Sequence, residues 1–144
     1  MNLESVGLGL ALTHIKFNVK TRRVPYAYGF EVLVYAKFSS SVTEEQKKCM
    51  EVWAQANGFS VLRTTEMYGD TLYSIIDALE PFNSLMRKSD LNNIKRIQWL
   101  RENPIPKTLW RDDGTRRKVK TGRNWKKFMY WVEAWDAFCE SLKE

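Results

Sequence analysis

Two segments near the amino terminus, in which apolar and polar residues alternate, constrain the fold more than any other feature of the sequence. They cover residues 14–22 and residues 30–39. Because successive side chains of a β-strand point to opposite faces, this alternation predicts strands with one buried and one solvated face. The segment between them, Val24–Gly29, carries Pro25 and two tyrosines, which predicts a turn and a hairpin of the two strands.

The two faces of each strand can be assigned from the alternation. The core face of the first strand is formed by Ile15, Phe17 and Val19, and its polar face by Lys16, Asn18, Lys20 and Arg22. The core face of the second strand is formed by Phe30, Val32, Val34, Ala36 and Phe38, and its other face by Glu31, Leu33, Tyr35 and Lys37. The first strand therefore predicts a basic, solvated surface.

The segment VGLGLAL, Val6–Leu12, precedes the first strand and is apolar on all sides. We favour a helix here, with a strand as the alternative. Each glycine costs a helix about 1 kcal/mol relative to alanine, so glycines inside a helix need a physical reason. Close approach of a second helix backbone, which Gly7, Gly9 and Ala11 would permit, is such a reason.

Helical and strand patterns follow in the rest of the chain. Thr43 and Gln46 have capping-box spacing and predict a helix that ends at Asn57–Gly58, with an apolar stripe of Met50, Trp53 and Ala54. Residues 60–67 and 71–76 are predicted as two strands of a second hairpin. A short helix near 82–86, a helix from Ser89 or Asp90 to before Pro104, and a final helix over 125–142 complete the predicted order.

Positive charge is concentrated in one segment. The net charge is +6, yet Lys107–Lys127 alone carries nine basic residues and two acids, which is +7, so the remainder sums to −1. The glycines of this segment predict a loop. A concentrated basic patch on a nearly neutral body favours a polyanionic partner, and an ordinary solvated surface is the alternative.

Several classes of function are disfavoured by what the sequence lacks. The two cysteines have no metal-ligand spacing, and there is only one histidine, so we expect no zinc site and reduced, buried thiols. The apolar segment at Val6–Leu12 is far shorter than the roughly 20 residues that span a bilayer, so we expect no membrane segment. The amino terminus does not have the composition of a transit peptide, so an organellar protein would be organelle-encoded or already processed.

The order of these elements, with three of their sequences, resembles the single-motif LAGLIDADG homing endonucleases of green-algal organellar introns. VGLGLALTHI (6–15) stands where that family has its signature helix. LEPFNSLMRK (79–88) is similar to its Leu-x-Pro-Phe turn and following lysine, and DDGTRRK (112–118) to the Thr-Arg-Lys run before its last helix. The ordered combination carries the resemblance, because no single motif is specific.

The resemblance implies an α+β fold of αββαββα order, with a curved four-stranded antiparallel sheet and additional carboxy-terminal helices. Residues 1–104 would form the LAGLIDADG-like core, and residues 105–144 a basic loop and an amphipathic helix packed on the same domain. In the family, the sheet lies along a nucleic-acid groove. The expected nucleic-acid-binding residues are Lys16, Asn18, Lys20, Arg22, Arg23, Tyr28, Tyr35, Lys37, Arg63 (or Thr64), Arg116, Arg117, Lys118, Lys120 and Arg123. The resemblance also implies a second copy, or a surrogate protein partner, packed on Gly7, Gly9 and Ala11.

The chain departs from the family at the metal site. Alignment on Gly7 and Leu8 puts Leu12 where the family has the acidic metal ligand, and no Asp or Glu occurs between Ser5 and Val24. Mg²⁺ requires oxygen ligands, which leucine lacks. The supporting polar residues are also replaced, with Ser41 or Val42, Gln46 and Met86 near their positions, although Lys47 or Lys88 could substitute in part. We therefore expect no catalytic residues, no metal and no cofactor.

Some residues invite a functional interpretation that the pattern does not favour. The single histidine, His14, is better interpreted as a contact to phosphate or water than as a catalytic base. Asp112 and Asp113 favour local turn hydrogen bonds or salt bridges. The tryptophans of the last helix favour core packing, which leaves Trp110 and Trp125 as candidates for base stacking.

Three function hypotheses follow. The first is a non-catalytic nucleic-acid-binding protein with RNA favoured over DNA, such as a ribosomal subunit or an intron-splicing cofactor in a mitochondrion or chloroplast. The second is a site-specific endonuclease on double-stranded DNA with residual Mg²⁺-dependent activity. The third is a structural subunit of a large complex that binds protein.

Overall fold

The structure is a computed structural model that describes residues 2–23, 30–60, 66–106, 113–115 and 121–143, with Arg23 described by its backbone only. In chain order the elements are α1 (Leu3–His14), β1 (Ile15–Arg23), β2 (Phe30–Phe38), α2 (Glu44–Ala56), β3 (Glu66–Met67), α3 (Gly69–Leu79), a 3₁₀ helix (Glu80–Leu85), α4 (Lys88–Glu102) and α5 (Gly122–Ser141). The predicted α+β class is confirmed.

The described strands form one sheet in the order β1-β2-β3. β2 and β3 are antiparallel, with Ala36 opposite Met67 and Lys37 opposite Glu66. β1 and β2 are neighbours, as the alternation predicts. The described part of the chain thus has three strands, whereas the resemblance implied four.

The segment 71–76 is helical, and its prediction as a strand was wrong. It belongs to α3, in which Leu72, Ile75, Ile76 and Leu79 are all buried. Their spacing of three, four and seven residues places them on one helical face, whereas adjacent isoleucines would fall on opposite faces of a strand. The periodicity therefore outweighs the β-branched composition, and the expected second hairpin is absent from these residues.

α1 and α2 pack closely together, and Gly7 explains how. A Cβ atom built on Gly7 would overlap the carbonyl oxygen of Cys49 and lie 2.9 Å from the Cβ of Trp53. The predicted close approach of a second helix backbone is therefore made at Gly7 by α2 of the same chain. Ala11 is buried. Gly9 is exposed, and a Cβ atom built on it would have no described atom within 4 Å. Packing of a second copy on this helix stays a prediction.

The predicted ends of α2 are confirmed. The amide of Gln46 donates to Thr43 Oγ1 at 3.2 Å, and the amide of Thr43 donates to Gln46 Oε1 at 2.9 Å, which is a complete capping box. The helix ends at Ala56 with Asn57 as its C-cap, and Gly58 follows with φ of +80°. The apolar stripe of Met50, Trp53 and Ala54 is buried as predicted.

The beginning of α4 is attached to the sheet through side chains. The amide of Phe17 donates to Asp90 Oδ1 at 3.4 Å, and Asn93 Nδ2 donates to the Phe17 carbonyl at 2.7 Å. The Arg87 guanidinium holds the same carboxylate, at 2.9 Å from Nε and 2.7 Å from Nη2. Asp90 and Asn93 of α4 therefore provide hydrogen-bond partners for the backbone N–H and C=O of Phe17 in β1.

The chain divides by contact density into two compact units. Unit 1 comprises Met1–Val19 and Val34–Ile94, and unit 2 comprises Lys20–Leu33 and Lys95–Glu144. Residues 20–33 therefore group with the carboxy-terminal part of the chain. The sequence-based division placed them with the first 104 residues.

The core of unit 2 is an aromatic cluster. Trp99 packs against Trp131, Trp135 and Phe138 with ring-centroid distances of 5.9, 5.5 and 5.7 Å, and Phe30 meets Trp131 edge-on at 5.1 Å. The indole nitrogen of Trp131 donates to the Asn103 carbonyl at 2.8 Å. The predicted core role of Trp131 and Trp135 is confirmed, because both are buried.

Candidate nucleic-acid interface

β1 presents a basic face, as its alternation predicts. Ile15 and Phe17 are fully buried. The predicted polar residues Lys16, Lys20 and Arg22 are exposed, and Asn18 is half-buried. Because a strand rises about 3.3 Å per residue, same-face neighbours are about 6.6 Å apart. The strand therefore carries a row of separated cationic side chains that can each approach a different anionic group.

The second strand contributes less to this surface than expected. Lys37 is exposed, but Tyr35 is only 6% exposed. Its ring packs against Tyr68 at a centroid distance of 5.7 Å, so the alternating pattern alone gave the wrong exposure for this residue. Tyr68 in turn donates a hydrogen bond to the Glu66 carboxylate, which raises the pKa of Tyr68. Little of Tyr35 remains accessible to a nucleic acid.

Several expected interface residues lie outside the described residues. These are the side chain of Arg23, and Tyr28, Arg63, Thr64, Arg116, Arg117, Lys118 and Lys120, together with Asp112 and the stacking candidate Trp110. Their expected roles stay predictions.

Residues 113–115 of the basic segment form a local turn, whereas residues 122–124, which the glycines predicted as loop, belong to α5. The Asp113 carboxylate accepts from the amide and the hydroxyl of Thr115, at 3.0 and 2.6 Å, and Gly114 between them has φ of +84°. The expectation that Asp113 makes local turn hydrogen bonds is confirmed.

The amino-terminal end of α5 carries a second basic surface. The expected residue Arg123 is exposed, and Lys126 and Lys127 are exposed beside it. Together with Gly122 and Tyr130 they line an open cleft of about 500 Å³. Tyr130 is 77% exposed.

Lys126 and Lys127 contribute to the charge of the basic segment but were not among the predicted interface residues, and neither was Tyr130. The spacing of three, four and seven residues from Arg123 was the signal that could have found them. Farther along α5, an acidic stripe of Glu133, Asp136 and Glu140 is exposed and limits this basic surface.

Trp125, the second stacking candidate, is half-buried and contacts the ring of Phe128 at 5.6 Å. It belongs partly to the apolar side of α5. Tyr130 is the more accessible aromatic ring of the two.

Leu12, the residue that the resemblance aligns with a metal ligand, is apolar and largely inaccessible. Leu12 is 9% exposed in the last turns of α1. His14, the last residue of that helix, is half-buried, and its carbonyl accepts from the Ser39 amide at 2.8 Å. Among the described residues, no group of three or more His, Cys, Asp and Glu side chains is placed to hold a metal ion.

The two cysteines are free thiols and both are half-buried, so they are more accessible than expected. Burial raises the pKa of the Cys139 thiol, and a hydrogen bond from Arg96 offsets part of this effect. The thiol form of Cys139 is therefore favoured near neutral pH.

No described helix is both long and apolar enough to cross a membrane. No protein-family model, curated protein or solved structure matched this chain in the comparisons made.

Proposed function

We propose that this chain is a non-catalytic nucleic-acid-binding protein derived from a LAGLIDADG homing endonuclease, and that it binds structured RNA. The observation that carries the proposal is the exposed basic face of β1, with Lys16, Lys20 and Arg22, opposite the buried Ile15 and Phe17. Cationic side chains in a row bind a phosphate backbone and position a protein along a groove.

The composition of this face favours RNA helices over sequence-specific reading of DNA. Three of its four polar side chains are lysine or arginine, and Asn18, which could read a base edge, is half-buried. Double-stranded RNA is recognised mostly by its shape and through phosphate and 2′-hydroxyl contacts. Sequence-specific DNA binding needs more side chains directed at base edges in the major groove.

Leu12 supports the non-catalytic part of the proposal. A buried leucine supplies no oxygen to a divalent cation at the position where the family places its metal ligand. The concentration of charge in Lys107–Lys127 supports the anionic partner. The proposed setting is an organelle, with ribosomal RNA or intron RNA as the partner, and co-purification of ribosomal RNA with the native protein would favour the first of these.

The test compares two pairs of lysines that are all exposed. Lys16→Gln with Lys20→Gln removes two charges from the β1 face, and Lys48→Gln with Lys95→Gln removes two charges from α2 and α4. Affinity for a paired RNA hairpin is measured by fluorescence anisotropy between about 50 and 200 mM salt. We expect the β1 variant to weaken binding and to reduce the slope of log affinity against log salt by about 1.4 to 1.8, because each lost phosphate contact contributes roughly 0.7 to 0.9.

The control variant should retain nearly the wild-type affinity and slope. Equal effects of both variants would show that total charge, and not the β1 face, determines binding. Absence of any salt-sensitive binding to nucleic acid would favour the protein-binding subunit instead.

The endonuclease alternative is tested with a plasmid library and Mg²⁺ or Mn²⁺. We expect no specific cleavage by the wild-type protein, because its metal-ligand position is Leu12. Site-specific cutting that EDTA abolishes would refute the non-catalytic assignment.

A further inference from the structure

Four side chains at the beginning of α5 form one continuous surface. Arg123, Lys126, Lys127 and Tyr130 are three, four and seven residues apart, so they are neighbours on one side of the helix. The buried residues Phe128, Trp131, Val132 and Trp135 occupy a different side. The four exposed side chains are therefore not needed for the packing of α5.

The charge of Arg123 opposes the local electrostatics at the beginning of the helix. The first turn of α5 contains no acidic residue, and the side chain of the N-cap residue Thr121 makes no capping hydrogen bond. The amino end of a helix carries a partial positive charge and free N–H groups, so nearby cations destabilise it and an anion stabilises it. Arg123 lies in this first turn, where a cation is better explained by a bound anion than by helix stability. Lys126 and Lys127 follow in the second turn and extend the positive surface.

The shape of the cleft and the exposed ring of Tyr130 indicate a ligand that is larger than a simple anion. The cleft of about 500 Å³ lies within the range of roughly 300 to 1,000 Å³ that is usual for small-molecule sites. Tyr130 lies one turn beyond the two lysines and exposes 77% of its surface. A phenol ring that is open to solvent beside cations can stack on a nucleobase while the cations hold its phosphate.

We infer that this end of α5 binds one unpaired nucleotide of an RNA, with Arg123, Lys126 and Lys127 at the phosphates and Tyr130 stacked on the base. The inference rests on the proposed RNA-binding function and adds a second, distinct contact to it. The stretch from Arg123 to Tyr130 covers about 10 Å of helix, after which Glu133 begins the acidic stripe, so the site is short. An unpaired nucleotide fits because its base is free to stack, whereas a paired base is not.

The test uses two RNA hairpins that differ by a single unpaired uridine. We expect the wild-type protein to bind the bulged hairpin more tightly than the paired one. Tyr130→Leu should remove this preference with a loss of about 5- to 100-fold on the bulged hairpin, the range for one base–aromatic stack. Tyr130→Phe keeps the ring and should retain the preference. Tyr130 is largely exposed, so neither substitution should disturb folding, and circular dichroism checks this.

A second pair of variants tests the phosphate contacts. Lys126→Gln with Lys127→Gln should reduce the salt slope for a single-stranded oligouridine by about 1.4, whereas the control pair at Lys48 and Lys95 should leave it unchanged. The inference is overturned if Tyr130→Leu binds both hairpins as the wild type does, or if the two lysine pairs have equal effects.

Comparison of the β1 variants with the α5 variants distinguishes failure of the α5 site from failure of the proposed function. If substitutions at Lys16 and Lys20 weaken binding to both hairpins while the α5 variants do not, the α5 site fails and the proposed function stands. If the α5 variants alone weaken binding, the β1 surface fails and the α5 site stands. If the wild-type protein binds neither hairpin nor oligouridine, both are overturned.

Discussion

Asp90 combines burial with charge, since the residue is 5% exposed and carries a carboxylate. A buried charge is tolerated only when it is paired and hydrogen-bonded, and Arg87 and the Phe17 amide supply these partners. The sequence predicted Asp90 only as a candidate residue for the beginning of a helix. Its partner Phe17 lies 73 residues away, and no local pattern can reveal a contact over that separation.

Replacement of Asp90 by alanine should therefore destabilise the fold. We expect Asp90→Ala to lower the free energy of unfolding by about 2 to 3 kcal/mol, because the Phe17 amide loses its acceptor and Arg87 loses its ion pair. Chemical denaturation monitored by circular dichroism measures the change. The neighbouring Ser89 is exposed, so Ser89→Ala is the control and should change stability by less than about 0.5 kcal/mol. Equal effects of the two substitutions would contradict the structural role of Asp90.

At the level of whole elements, the predictions were correct where residues close together in the sequence determine the structure. The ends of α2 were predicted because Thr43, Gln46 and Gly58 determine them within a few residues. α3 was misassigned because isoleucine and threonine favour strands, whereas burial of Leu72, Ile75, Ile76 and Leu79 on one side decides in favour of a helix. The close packing predicted for α1 was correct at Gly7, but its partner is α2, which periodicity in α1 alone cannot identify.

The two glycines of α1 make a matched pair for testing helix packing. Gly7→Ala places a methyl group against the Cys49 backbone and should destabilise the protein by about 1 to 3 kcal/mol, because backbone atoms cannot move aside cheaply. Gly9→Ala meets no described atom and should stabilise it by up to about 1 kcal/mol through helix propensity.

Thermal unfolding of both variants measures the difference between them. Destabilisation of similar size at both positions would contradict the packing described for α1 and α2. If Gly9→Ala instead reduces self-association in sedimentation experiments, a second copy packs on this helix, as the family resemblance implies.

Across the whole molecule, charge was the property that the sequence predicted most directly, because it depends on residue identity alone. The exposed basic face of β1 followed from alternation, whereas the cleft at α5 required the three-dimensional placement of Tyr130. The α+β class was predictable, but the number of described strands was not, because it depended on the single segment that became α3.

The basic loop gives a prediction at this scale. Replacing Arg116, Arg117, Lys118 and Lys120 with glutamine leaves a formal net charge of +2. We expect weaker binding to every nucleic acid and a salt slope reduced by about 3, since each phosphate contact contributes roughly 0.7 to 0.9. Salt titrations with RNA and DNA hairpins of the same length measure this change. An unchanged slope would show that the loop does not reach the phosphates.

The hydrogen bonds that Asp90 and Asn93 make to Phe17 have a consequence for solubility. The outer edge of a sheet normally exposes free amides and carbonyls, which can pair with a strand of another molecule and begin aggregation. At Phe17 both groups of β1 are already engaged by side chains of α4, at 3.4 and 2.7 Å. An incoming strand would first have to displace them, so α4 hinders intermolecular β-pairing at Phe17 in concentrated solution.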